Sequence, residues 1–79
     1  MNAATSLTQA QLAVNRLSRM NVIIEAVKTS NTRPIIRIKN PLLEWQDMAV
    51  EITETIRGRK FKTHVLIWNG VYLKWREAV

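Results

Sequence analysis

The sequence predicts a small two-layer α+β domain of α-β-α-β-β order, with two helices packed on one face of a three-stranded, mainly antiparallel sheet. Three observations carry that expectation. Apolar residues recur at spacings of three and four over the first third of the chain and again after Asn40-Pro41. The short run "IIRIK" alternates apolar with basic residues. Asn69-Gly70, the dipeptide best suited to a two-residue hairpin turn, lies between two further alternating runs.

Residues 1–5 are expected to fray, leaving 6–79 as a single domain. Ser6 to Gln9 has the spacing of a capping box. From there Ala10, Ala13, Leu17, Met20, Ile24 and Val27 form one helical stripe, which predicts a helix over 6–29. The competing reading begins a strand near Asn21, because "VIIEAV" is rich in β-formers, and turns at Ser30-Asn31-Thr32. That version has the order α-β-β-α-β-β with four strands. The stripe stays in phase through Val27, which favours the helix.

Pro34 can only open a strand or lie at a sheet edge. "IIRIK" follows as a half-buried strand, with Ile36 and Ile38 on one side and Arg37 and Lys39 on the other. Asn40 is placed as the cap and Pro41 as the first residue of a second helix, 41–57, which Gly58 stops. Leu42, Trp45, Met48 or Ala49, Ile52 and Ile56 form its apolar face, and Glu44, Asp47, Glu51 and Glu54 a second stripe. In the final hairpin a two-residue loop sets Trp68 opposite Val71, Leu66 opposite Leu73 and His64 opposite Trp75 on one face. Val65, Ile67, Tyr72, Lys74 and Arg76 take the other. "IIRIK" and "YLKWR" share a pattern 37 residues apart, too short a likeness to carry weight.

A chain of 79 residues leaves little material for a deep cleft. With no cysteine and one histidine, disulfides and zinc sites are excluded. "MNAATSLTQAQ" has neither the basic nor the apolar region of a signal peptide, and no apolar run is long enough to span a bilayer. A cytoplasmic protein without membrane contact is expected. There is no glycine-rich phosphate loop, and the lone His64 is placed beside Trp75 on an apolar face, where packing is the commoner role. The chain is expected to be no enzyme and to need no cofactor.

Charge is the stronger functional signal. The net charge is +6, yet residues 41–57 carry four carboxylates against one arginine, so +9 falls on the remainder. Basic residues interleaved with an aromatic are the footprint of nucleic-acid binding, so a small nucleic-acid-binding or regulatory accessory protein is the leading expectation. Arg37, Lys39, Arg59, Lys60, Lys62, Lys74 and Arg76 are the candidates for phosphates, with Tyr72 to stack a base of DNA or RNA. Alternatively, basic side chains on strands simply keep a sheet from pairing with others. The acidic stripe would repel phosphates, so the second helix should face away. The alternative function is a protein-binding inhibitor or adaptor, acting through Glu44, Asp47, Glu51 and Glu54 or through the exposed hairpin face. Short, basic, cysteine-free chains of this kind are frequent among phage and mobile-element accessory proteins; a structural subunit of a larger assembly is a third reading. A 24-residue first helix would also outreach the sheet and leave its stripe free for a homodimer.

Overall fold

The computed structural model describes residues 3–29 and 33–78. The elements are α1 (Ala3–Arg19), β1 (Ile24–Lys28), β2 (Ile35–Ile38), α2 (Leu43–Met48), β3 (Val50–Ile56), β4 (Arg59–Trp68) and β5 (Val71–Ala78). The strands form one five-stranded sheet in the order β1-β2-β5-β4-β3. β2 and β5 run parallel; the other neighbours are antiparallel. This corrects the expected three-stranded sheet, and the four-stranded version also falls one strand short.

Two local conflicts explain the difference. The first helix ends at Arg19 rather than running to 29. Asn21 adopts a left-handed φ of 61°, the Val22 N–H reaches the Leu17 carbonyl at 3.0 Å and the Asn21 N–H reaches Ser18 at 3.2 Å. That is a Schellman motif with asparagine just beyond the helix end, and Val22 and Leu17, which it brings together, are both buried. The β-branched Val22-Ile23-Ile24 run then favours extended chain, and β1 follows. At its other end α1 begins at Ala3, so Ser6 lies within the helix rather than capping it. Met1, Asn2 and the turn expected at residues 30–32 lie outside the described residues.

The second conflict lies in 41–57. Only Leu43–Met48 is helical, and the N-terminal cap is Leu42, with no side-chain cap bond. Asn40 does other work: its Oδ1 accepts the Ile23 N–H at 2.8 Å and its Nδ2 donates to the Asn21 carbonyl at 3.3 Å. It thus ties the end of β2 to the α1–β1 turn. "VEITETI", with five β-branched residues in seven, forms the edge strand β3. Gly58, expected to stop a helix, instead completes a hairpin turn with Arg57; their φ values are 79° and 51°.

Both helices pack on the same face of the sheet. Ala13 and Leu17 of α1 and Trp45 of α2 join Ile36, Ile38, Leu66, Val71, Leu73 and Trp75 in one core. Trp45 meets Trp68 edge to face, ring centroids 5.7 Å apart. The hairpin pairs in the expected register, Trp68 with Val71, Leu66 with Leu73 and His64 with Trp75. α1 is 17 residues, about 25 Å long at the standard rise. The excess length that would have left Ala10, Ala13 and Leu17 for a second copy is therefore gone, and all three are buried within this chain.

Candidate functional site

Strand alternation sends one set of side chains into the core and the other to the opposite face, which no helix covers among the described residues. Register arranges that face in rows. Val50 of β3 pairs with Val65 of β4, Val65 with Lys74 of β5, and Lys74 with Arg37 of β2. In the next row toward the Asn69-Gly70 turn, Ile67 pairs with Tyr72 and Tyr72 with Ile35. On the other side, Ile52 pairs with Thr63 and Thr63 with Arg76.

The face is therefore split along the strand direction. Over β3 and β4 it is apolar: Val50 is 65% exposed, Ile52 47% and Ile67 59%, with Met48 of α2 at 63% beside them. Together with Val65 and Tyr72 they line a shallow groove of about 440 Å³. Over β5, β2 and β1 it is cationic. Lys28, Arg37, Lys74 and Arg76 surround a depression of about 320 Å³ floored by Ala26 and Ile35. Tyr72 sits on the boundary, and the Arg33 guanidinium lies 5.3 Å from its ring centroid. Four exposed large apolar residues, Met48, Val50, Ile52 and Ile67, are thus gathered around one groove.

Thr63 lies at the centre of this face and is fully buried. Among the described residues its hydroxyl has no partner within hydrogen-bonding distance. Even so, it is close enough to Glu54 to be the main influence holding that carboxyl below its ordinary pKa, against desolvation, which raises it, and with lesser attraction from Lys74 and Arg76. Glu54 is thus a charged acid on the β3 side of this face, within electrostatic reach of Lys74 and Arg76.

Of the residues proposed for phosphate contact, Arg37, Lys74 and Arg76 share this face with Tyr72, and Lys39 lies beside Arg37 and Arg76. Arg59 shares the face but starts β4 beside Ile56, at its far corner. Lys60 and Lys62 alternate to the helix-bearing side, where Lys62 Nζ is 3.4 Å from Glu51 Oε1. Lys28 and Arg33 belong to the cationic half and were missed; the signal for Lys28 was alternation in "EAVK", obscured by reading that segment as helix, and Arg33 lies in the segment before β2. The acidic stripe does not exist as such, because the segment is not one helix. Glu44 and Asp47 lie on or beside α2, whereas Glu51 and Glu54 fall on opposite sides of β3. His64 stacks on Trp75 with ring centroids 5.5 Å apart, and its Nε2 is 3.8 Å from Glu77 Oε2.

The profile of the Kil protein family matches residues 1–76, nearly the whole chain. The chain belongs to the Kil protein family. This makes it a small phage-type accessory protein with an α+β fold. No curated protein and no solved structure matches the chain. Among the described residues of this Kil-family chain, no helix is long and apolar enough to cross a membrane.

Proposed function

We propose that this phage-type accessory protein acts without catalysis, as an inhibitor or adaptor that binds another protein through the uncovered face of its sheet. The observation that carries the reading is the exposed strip Val50, Ile52 and Ile67 on one side of that face, continuous with cations on the other. Apolar area removed from water favours association by roughly 25 cal/mol per Å², and only a partner with its own apolar surface realises that gain. Val50→Thr with Ile67→Thr keeps β-branched side chains on exposed strand positions and so preserves the fold. In a nuclease-treated extract of a bacterial host, the wild-type chain should retain a protein that this variant loses. Retention of the same protein by both refutes the reading.

The second reading, nucleic acid held by the cationic half, is favoured by the convergence of Lys28, Arg37, Lys74 and Arg76 from three strands. It requires affinity for mixed-sequence DNA or RNA that falls steeply with salt and is lost in Lys74→Gln with Arg76→Gln. The apolar half counts against it, since phosphates gain nothing from Val50, Ile52 or Ile67.

A further inference from the structure

The division of the uncovered face specifies more than that a protein docks there. We propose that its occupant is an acidic amphipathic α-helix of the partner, lying along β4 with its apolar stripe over β3 and β4 and a row of carboxylates over β5 and β2. This rests on the reading of the face as a protein-docking surface.

The dimensions fit. Neighbouring strands lie about 4.8 Å apart, so a helix about 10 Å across covers the width of the β3–β4 pair and brings one flank over β5. Its apolar positions, at i, i+3, i+4 and i+7, fall on Val50, Ile52, Val65 and Ile67. Carboxylates on that flank meet Lys74 and Arg76, and Arg37 lies one strand further on, in register with Lys74. Both faces of the sheet would then be covered by helix, the arrangement by which mixed and parallel sheets commonly bury both surfaces.

Charge and polarity separate this occupant from the others. A second copy stacked on this face meets it with its own apolar strip or its own cations, and brings no row of carboxylates to Lys28, Arg37, Lys74 and Arg76. An extended nucleic-acid strand would leave the apolar half in water. A neutral amphipathic helix would cover the groove and bring no carboxylate beyond the Glu54 that Lys74 and Arg76 already attract. Carboxylates bordering an apolar stripe on one side satisfy both halves at once, and opposed charges also speed and orient the encounter.

The test is fluorescence anisotropy with a labelled 18-residue helical peptide carrying a leucine stripe and glutamates along one flank. Its comparison probes are the same residues in scrambled order, the same peptide with lysine for glutamate, and an oligodeoxynucleotide of equal charge. The acidic amphipathic peptide should bind at least tenfold more tightly than every comparison probe. Val50→Thr with Ile67→Thr, and separately Lys74→Gln with Arg76→Gln, should each weaken it at least tenfold, while Leu12→Ala on exposed α1 leaves it unchanged. Amide shifts on the wild-type protein, which need no variant to fold, should map to β3, β4 and β5. Equal binding of the scrambled peptide or the oligonucleotide overturns the proposal, as does indifference to the apolar variant or a shift map centred on α1. Where host-protein capture still depends on Val50 and Ile67 but the acidic peptide does not bind, this proposal falls and the docking reading stands. Where neither depends on them, both fall.

Discussion

Arg57→Asn tests the largest correction to the expected fold, because its sign differs between a helix and a hairpin over residues 50–57. In the hairpin, Arg57 and Gly58 are the two central residues of the β3–β4 turn, with φ values of 51° and 79°. Both are left-handed, as a type I′ turn requires. An L-residue with a long side chain held there loses roughly 1–2 kcal/mol relative to its preferred conformation. Asparagine tolerates that region far better, and Asn-Gly is the preferred pair for the turn. The substitution should recover part of the cost, about 0.5–1 kcal/mol. For a domain of this size that raises Tm by roughly 2–8 °C. Were 41–57 one helix, Arg57 would sit in its last turn and favour the negative end of the helix dipole by about 0.3–1 kcal/mol, so asparagine would destabilise. Urea denaturation followed by tryptophan fluorescence, with thermal melts by circular dichroism, reads the sign directly. A midpoint that falls in both experiments refutes the hairpin assignment.

Leu17→Ala empties a fully buried position between α1 and the sheet and should cost about 3 kcal/mol, with a urea midpoint independent of protein concentration. A midpoint that rises with concentration would put the helix in an interface between copies instead. Asn40→Ala removes the bonds at 2.8 and 3.3 Å to the α1–β1 turn and should cost about 1 kcal/mol, with faster exchange of the Ile23 amide as its local signature. Glu54 titrates below its ordinary value in the folded chain, so its contribution is complete above the unfolded pKa of about 4.3 and is lost as pH falls through the lowered value. Glu54→Gln should therefore flatten the acid limb of the stability profile, and Thr63→Val should move the Glu54 carboxyl resonance to titrate at higher pH. An unchanged Glu54 titration in Thr63→Val would remove the hydroxyl as the main cause.

The final hairpin was fully legible because two independent signals agree there. Asn69-Gly70 demands a turn with two positive φ values, and the flanking runs alternate without interruption. Residues 41–57 were illegible for the opposite reason. Their apolar and acidic residues fit helical spacing, yet Val50, Ile52 and Ile56 fit a strand equally well. The deciding signal was chemical rather than periodic: β-branched residues crowd a helix and suit a pleated surface. Arg57-Gly58 fits a helix stop as readily as a turn, so it reinforced the wrong choice. α1 departed from expectation at both ends: it begins at Ala3 rather than after Ser6, and at its C-terminus an asparagine rather than a glycine occupies the left-handed position. The candidate site inherited these errors. Val65, Ile67, Tyr72, Lys74 and Arg76 were placed on one face because their hairpin was read correctly, whereas Val50 and Ile52, the β3 share of the apolar half, went unseen.

The likeness between "IIRIK" and "YLKWR" acquires a physical cause in the sheet. Ile35 pairs with Tyr72, Ile36 with Leu73 and Arg37 with Lys74, so the two segments are parallel neighbours in register. Residues in one row of a sheet meet the same surroundings on each side. Ile36 and Leu73, and then Ile38 and Trp75, face the same helices and must be apolar. Arg37 and Lys74 face the uncovered side, where they line one depression with Arg76. Patterns 37 residues apart thus converge because both strands answer to one core and one exposed face. The same pairing determines where the cations end and the apolar strip begins. β2 docks on the outer side of β5, which puts the basic alternation of both strands together, and β4 and β3 take the other side with Val65, Ile67, Val50 and Ile52. Had β2 paired beside β3 instead, cations and apolar residues would interleave across the face, and no helix with a single acidic flank could satisfy it. The strand order, more than the number of basic residues, sorts this surface into a cationic half and an apolar half.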